Sequence, residues 1–452
     1  MKKFYLSKYI IFSDIDKTTL LFNGFSGNMD VVSAEFALKL KRVGPGGELC
    51  FLSPGELEFM KKRGHVTELY PDAERAAFKA MVQEIYLQEC GAEVQTGFLS
   101  LLMSYDCNLA CPYCYQNETR GKKGPGRMSE DLLEAVLTTH YNALFPGVSP
   151  ANLSIALYGG EPFMRHNRPL IKRAAAFAGL HGTKLSAVSN ATDIEAVKDL
   201  LGPLPGMISD VQVTLDTSRE GRALPRSKGG RSGTIIDNVH LMLDRKVRVS
   251  IRMHINGNNY DELNDVVDYL VDQEIVGHPR GFAYLAPIRE HNDPSVKDQY
   301  LDITSQAAKE ISRKLGHPLH LNYKSVKRLL AMQKWRMKKT HYCMLSRHTN
   351  HVVDPFCDIY GCYEEAGREE LRTGHITPDK VEFFPMRETY NRRYIQNMDK
   401  CLDCPFALLC GGGCPYHGRR LKGSVMEPDC FDLKNSIVES IRHIYLESKR
   451  VK

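Results

Sequence analysis

Cys107, Cys111 and Cys114 stand at C-x3-C-x2-C spacing directly after an apolar run, Phe98 to Met103, that reads as a strand. A loop leaving a strand end can curl three thiolates around one inorganic cluster. Three ligands are one fewer than the four that close a structural iron–sulfur site, so one iron would keep a position open for a substrate or cofactor. Buried thiols or a zinc pair are the alternatives that spacing leaves open. Zinc usually takes two close pairs, and no further Cys or His follows Cys114 within the next twenty residues.

The distribution of the thirteen cysteines points the same way. Cys50 and Cys90 are isolated, residues 115–342 contain none, and eight fall between Cys343 and Cys430. Core filler would be scattered, so this clustering predicts two metal regions. In the second region Cys343, Cys357 and Cys362 come first. Cys401-x2-Cys404-x5-Cys410-x3-Cys414 follows, and Cys430 closes the set. Gly411-Gly412-Gly413 suits a backbone folded tightly round a cluster. Eight thiolates serve two four-cysteine sites, whether of iron–sulfur clusters or of zinc.

From about 96 to 300, strand and helix patterns alternate. Strands are predicted near Phe98–Met103, Leu153–Tyr158, Lys184–Val188, Val211–Leu215, Val247–Ile255 and Gly281–Ala286. Helices are predicted at Ser129–Tyr141, Pro169–Ala178, Asp193–Leu201, Thr234–Asp244 and Tyr260–Gln273. Such repeats imply parallel strands with right-handed crossovers. Six units fall short of a closed eight-stranded barrel, so the α/β fold expected is a partial, TIM-like (β/α)6 barrel with its chemistry at the strands' C-terminal ends. Polar residues stand just past those ends: Gly159, Gly160 and Glu161 after the second strand, Ser189 and Asn190 after the third, and Asp216 after the fourth. Arg252 lies within the fifth. Two glycines let a backbone approach a ligand, and Glu161 can accept from an ammonium group. Each is otherwise a turn or a polar strand end.

With Tyr113 before its third cysteine, the trio resembles the signature of the radical S-adenosylmethionine (radical SAM) enzymes. Tyr158-Gly159-Gly160-Glu161-Pro162 resembles the motif that meets the cofactor's amino group in that family. The resemblance implies that Cys107, Cys111 and Cys114 hold a 4Fe-4S cluster. It also implies that Tyr113, Gly159, Gly160, Glu161, Ser189, Asn190, Asp216 and Arg252 contact S-adenosylmethionine, with Ser189 and Asn190 at the ribose and Arg252 at the carboxylate. The terminal cysteines resemble the SPASM domain, a twin-cluster extension of peptide-modifying members. That resemblance assigns Cys343, Cys362 and Cys414 to one auxiliary 4Fe-4S cluster, and Cys401, Cys404, Cys410 and Cys430 to the other. The family pattern has glycine where this chain has Cys357, which makes Cys357 the expected fourth ligand of the first.

Residues 1–95 are expected to form a small separate unit. Phe4–Phe12 and Thr18–Phe22 read as strands and Val31–Leu40 as a helix, with a further helix opening at Ser53 and Pro54 and one spanning Glu74–Tyr86. Its layout resembles the winged-helix-type precursor-recognition domain of many peptide-modifying radical enzymes. Residues 96–300 would then be the barrel and 301–452 the SPASM region, led by basic helices at Ser305–Leu315 and Lys324–Lys338 with solvated faces. The composition, 42% hydrophobic and 25% charged, is that of a globular protein. A net charge of +6 without a basic tract gives no reason to expect nucleic acid. No run is long enough to span a membrane, and the start lacks a cleavage site, so a reducing cytoplasm is expected.

The resemblance implies a maturase that makes a 5′-deoxyadenosyl radical and abstracts hydrogen from a ribosomal precursor peptide, installing a thioether or carbon–carbon crosslink. The leader would dock on the N-terminal unit, and a flavodoxin- or ferredoxin-type protein would donate electrons. One alternative is a sulfatase-maturating, formylglycine-forming enzyme. Those enzymes carry an aspartate base where this chain has Tyr363, leaving Glu364 and Glu365 as candidate bases. The alternative of another class is a zinc-stapled binding scaffold.

Overall fold

The structure, a computed structural model, describes residues 2–90, 95–111, 114–124, 126–215, 232–255, 260–287, 306–316, 338–430 and 433–450. Tyr113, Asp216 and most of the expected helix at Lys324–Lys338 lie outside the described residues. The chain forms two compact units. One comprises Met1–Ala92, His320–Ser346 and Arg392–Lys452, the other Glu93–Leu319 and Arg347–Asn391.

The first unit begins with β1 (Tyr5–Leu6), β2 (Ile10–Ile15), β3 (Thr18–Asn23) and β4 (Met29–Ser33). β2, β3 and β4 form an antiparallel sheet in that order. β2 and β3 are joined by Asp16 and Lys17, with Asp16 in the left-handed conformation (φ +51°) that tight hairpins use and Asp tolerates. The helix expected from Val31 begins later, as α1 (Ala34–Val43), because Val31, Val32 and Ser33 pair with Leu20, Thr19 and Thr18 of β3. Branched valines suit that strand, and Ser33 caps the helix instead. α2 (Pro54–Lys62) opens with a capping box between Ser53 and Glu56 and with Pro54 in its first turn, as its sequence predicts. β5 (Val66–Thr67) pairs with β1, and α3 (Pro71–Cys90) follows.

The second unit is the barrel. Its six parallel strands are β6 (Gly97–Leu102), β7 (Leu153–Tyr158), β8 (Lys184–Ser189), β9 (Ile208–Thr214), β10 (Arg248–Ile255) and β11 (Gly281–Pro287), adjacent in sequence order. Between and after them lie α4 (Asn117–Lys123), α5 (Glu130–Leu137), α6 (Tyr141–Leu144), α7 (Arg168–His181), α8 (Ser232–Asp244), α9 (Tyr260–Asp272) and α10 (Gln306–Leu315). All six predicted strands are present. The helix predicted at Asp193–Leu201 is a 3-10 segment, Glu195–Leu200. Leu99, Leu101, Ile155, Leu157, Leu185, Val211, Val213, Val249 and Ile251 point to the helix-covered face and pack with Leu133, Val136, Ile171, Val239 and Val266. This core fixes the strands, and so the residues beyond their ends.

The sheet does not stop at β6. β12 (Asn350–Val353) pairs parallel to it, and β13 (Asp358–Tyr360), β14 (Gly374–Ile376) and β15 (Val381–Phe383) extend it antiparallel. α11 (Pro385–Asn391) ends the unit.

The first unit resumes with the short helices α12 (Asp399–Leu402), α13 (Ala407–Cys410) and α14 (Pro415–Lys422), then α15 (Leu433–Arg450). Tyr9, Phe78 and Val82 pack with Ile395, Met398, Leu402 and Leu408, while Ile11, Leu20 and Phe22 pack with Leu409, Ile437 and Ile441. The Tyr9 hydroxyl donates to the Leu402 carbonyl at 2.7 Å, and Arg75 pairs with Asp399 and Asp403. The N-terminal segment keeps a core of its own, in which Leu6, Ile10 and Leu21 pack with Leu40, Leu49, Met60 and Val66. The opposite face of the same small sheet buries its apolar residues on the cysteine-rich tail. Among the described residues no helix is long and apolar enough to cross a membrane.

Candidate active site

The trio occupies the loop leaving β6. The Cys114 N–H donates to the Cys111 carbonyl at 3.1 Å, and the Asn117 side chain donates to the same carbonyl at 2.9 Å. Arg120 Nε donates to the Tyr105 carbonyl at 3.0 Å, pinning α4 against the loop. Burial pushes the Cys107 thiol up to about 11 and raises that of Cys114.

Beyond β7, the Gly160 N–H donates to the Ser104 carbonyl and the Glu161 N–H to the Asp106 carbonyl, both at 2.8 Å. A Cβ on Gly159 (φ +136°) would collide with the Ser104 carbonyl, and one on Gly160 with that of Asp106. The two glycines thus admit the backbone of the cysteine loop itself, which locks the motif beside the trio.

Glu161 is 2% exposed. Its Oε1 accepts from the Phe163 N–H at 2.9 Å and the Ser189 hydroxyl at 2.8 Å, and its Oε2 from the Asn190 N–H at 2.7 Å. Asn190 Nδ2 donates to Asn108 Oδ1 at 2.8 Å and lies 3.9 Å from Cys107 Sγ. Four donors and acceptors from three strand ends therefore meet beside the first cysteine. Arg252 lines the same cavity, and its Nε is buried without a hydrogen-bond partner. A donor left so asks for an anion.

One cavity brings together Cys107, Cys111, Cys114, Gly159, Gly160, Glu161, Ser189, Asn190 and Arg252. Gln212, Thr214, His254, Tyr115, Tyr158 and Tyr363 also line it. Gln212 and Thr214 had a readable signal, since they alternate with buried Val211 and Val213 along β9. Tyr158 opens the glycine-rich motif, whereas Tyr115 had no such signal. Tyr158 and Tyr363 lie 4.9 Å apart between ring centroids, Tyr115 and Tyr363 6.2 Å, and burial raises the phenol pKa of all three. Of the two candidate bases, Glu364 lines the cavity. Glu365 is wholly buried, its Oε2 accepting from the Tyr390 hydroxyl at 2.5 Å. The 3-10 turn Tyr363–Glu365 carries Glu365 into the interior and leaves Glu364 half-buried at the cavity.

Three thiols on one loop, a buried carboxylate held by the end of β8 and a guanidinium with an unsatisfied Nε fit a cluster-bound ligand that carries an amino and a carboxylate group. Among the described residues no three Cys, His, Asp or Glu side chains converge as one mononuclear ion requires.

In the first unit the charge of the Cys401 thiol is felt with those of Cys410, Cys404 and Cys430, and that of Cys343 with Cys414. Burial pushes Cys343 and Cys410 up to about 11 and Cys401 up to about 12. Gly411, Gly412 and Gly413 all take left-handed φ, from +72° to +89°. A Cβ on Gly411 would strike the His341 backbone, and one on Gly413 the Asp429 carbonyl. Cys357 and Cys362 belong to the barrel unit. Cys357 closes the β12–β13 turn at φ +65°, and its side chain packs against the hydrophobic core of that unit.

Residues 101–270 match the Radical SAM superfamily. An uncharacterized protein of Archaeoglobus fulgidus is 24% identical over 385 residues, 83% of this chain and 87% of that one. Fe-coproporphyrin III synthase of Methanosarcina barkeri is 27% identical over 177 residues, 38% of this chain and 40% of its own length. Native anSMEcpe with bound AdoMet superimposes with a TM-score of 0.58 at 17% identity, over 79% of this chain and 100% of that one. Streptococcus suis SuiB bound to precursor peptide SuiA gives a TM-score of 0.51 at 14% identity, over 94% and 99%. The cysteine trio and its glycine-rich cradle lie inside the matched stretch, so residues 101–270 form a radical SAM domain, and the fold resembles that of anSMEcpe and of SuiB.

Proposed function

We propose that the enzyme acts on a ribosomally made precursor peptide, removing hydrogen from an unactivated carbon so that a thioether or carbon–carbon crosslink forms. The observation that carries this is the outer edge of β4. Among the described residues β4 pairs only with β3, and Val31 on it is 44% exposed. An extended leader can add there as a further strand. The fold likeness to SuiB, whose structure holds its precursor peptide, supports the same choice.

S-adenosylmethionine bound at such a cluster supplies, on one-electron reduction, a 5′-deoxyadenosyl radical able to take hydrogen from carbon. Cys107, Cys111 and Cys114 hold the cluster. Arg252 takes the cofactor's carboxylate. Glu161, fixed by Ser189 and Asn190, faces its amino group, and Tyr113 and Asp216 are further contacts in this proposal. Tyr115, Tyr158 and Tyr363 give the cavity an aromatic side. Glu364 is placed to accept a proton there. Cys343 and Cys414 belong to one auxiliary cluster set, and Cys401, Cys404, Cys410 and Cys430 hold the other cluster. The packing of Cys357 favours a core role over ligation. A flavodoxin- or ferredoxin-type protein supplies the electron. Formylglycine formation has less support, because Glu365 is engaged by Tyr390.

The test is co-expression with the small peptide encoded beside the enzyme. Loss of hydrogens from the peptide mass with wild type, and not with Cys111→Ala, is the expected result. Cofactor cleavage with an unchanged peptide mass would refute the peptide, and formation of Fe-coproporphyrin III in its place would follow the likeness to the Methanosarcina barkeri enzyme.

A further inference from the structure

Arg393 heads the wholly buried side chains of the described residues, at 0% exposure. Its Nε donates to the Val425 carbonyl, and its Nη2 donates to the Gly412 carbonyl at 3.0 Å. These carbonyls fix the plane of the guanidinium. Its Nη1 is buried with no hydrogen-bond partner and lies close to Gly412, inside the glycine triplet. Among the described residues no carboxylate pairs with it. A guanidinium buried without an anion costs several kcal/mol, so an anion belongs at Nη1. The acidic groups whose charge reaches it are Cys343, Cys414, Cys401 and Cys410. The first two belong to one proposed cluster set and the last two to the other.

We infer that Arg393 is the shared counter-ion of the two auxiliary clusters, donating from Nη1 to cluster sulfur and holding both reduction potentials up. This rests on the reading of the terminal cysteines as cluster ligands. Hydrogen bonds to sulfur and a nearby positive charge both favour the reduced, more negative cluster, and so raise its potential. Lys339 lies near Cys343 and Cys410, but its half-buried chain lacks the carbonyl clamp that fixes Arg393.

The test uses the full chain, loaded with iron and sulfide without oxygen, with Cys107, Cys111 and Cys114 all changed to Ala so that only auxiliary clusters give a signal. About eight irons per chain are expected in this background. Redox titration followed by electron paramagnetic resonance should then show both midpoints moving negative in Arg393→Gln, and moving less in Arg393→Lys. Unchanged midpoints with full iron overturn the inference and leave the cluster reading standing. A background protein without iron overturns both. Should Arg393→Gln fail to load, nitrogen-15-labelled arginine in the parent protein decides. Pulsed measurements on the reduced clusters should show a coupled nitrogen that disappears in Arg393→Lys, and its absence from the parent overturns the inference.

Discussion

Arg252 offers a buried nitrogen with no protein partner to the same cavity that the cysteine trio lines. Arg252→Met should therefore weaken S-adenosylmethionine binding to the iron-loaded enzyme by about 10- to 100-fold, the worth of one charge-assisted hydrogen bond. Folding should hardly change, because the variant removes an unsatisfied donor. Anaerobic equilibrium dialysis checks this, and unchanged affinity contradicts the assignment. Cys357 gives a second test. Its left-handed backbone carries a cost of about 1 kcal/mol, which Cys357→Gly relieves while losing the packing of the thiol. Stability should stay within about 1 kcal/mol, with iron content unchanged. Lost iron or an altered cluster spectrum would make Cys357 the fourth ligand. At this scale the sequence displays what chemistry restricts, namely thiols at fixed spacing and glycines where no Cβ fits. It cannot display Arg393, since a basic residue in Asn391-Arg392-Arg393 reads as solvated until its burial is seen.

Among the elements, β12 joins the barrel sheet to its antiparallel extension, and two buried groups with opposite pH responses flank it. His351 donates from Nε2 to the Leu144 carbonyl at 2.7 Å, and burial pulls its pKa to about 4. Its contribution to stability is complete above the unfolded value near 6.5 and is lost as pH falls towards 4, on the order of 3 kcal/mol in all. Burial, helped by nearby Asp358, pushes Asp354 up to about 6. Its raised pKa works the other way, with stability greatest below the unfolded value near 3.9 and lost as pH rises towards 6, by about the same amount. Between about pH 4 and 6 the two offset each other in wild type. The urea midpoint of His351→Gln should fall as pH rises through that window, and that of Asp354→Asn should rise. Slopes of the same sign would contradict this placement. The six barrel strands were legible because each is a long apolar run with a helix pattern behind it. β12 to β15 were not, since three or four residues offer too few periods amid cysteines and turn residues.

For the molecule as a whole, chain order conceals what shares a core. The N-terminal sheet and the cysteine-rich tail pack together in one unit, although more than three hundred residues separate Tyr9 from Leu402. Periodicity reports which face of an element is apolar and says nothing about which distant element covers it. What stays uncovered on β4 is the surface proposed for the leader. Val31→Lys, a charge on that edge, should weaken precursor binding at least about tenfold and leave peptide-independent cofactor cleavage intact. Fluorescence anisotropy with a labelled leader checks it, and unchanged binding moves the docking site elsewhere.

The most direct measurement is the metal content and cofactor chemistry of the protein purified without oxygen. Iron, labile sulfide and zinc are counted per chain, and reductant and S-adenosylmethionine are then added. About twelve irons with matching sulfide, and release of 5′-deoxyadenosine that Cys111→Ala abolishes, are the predicted result. About two zincs, no iron and no cleavage would contradict the account and leave a cysteine-stapled scaffold.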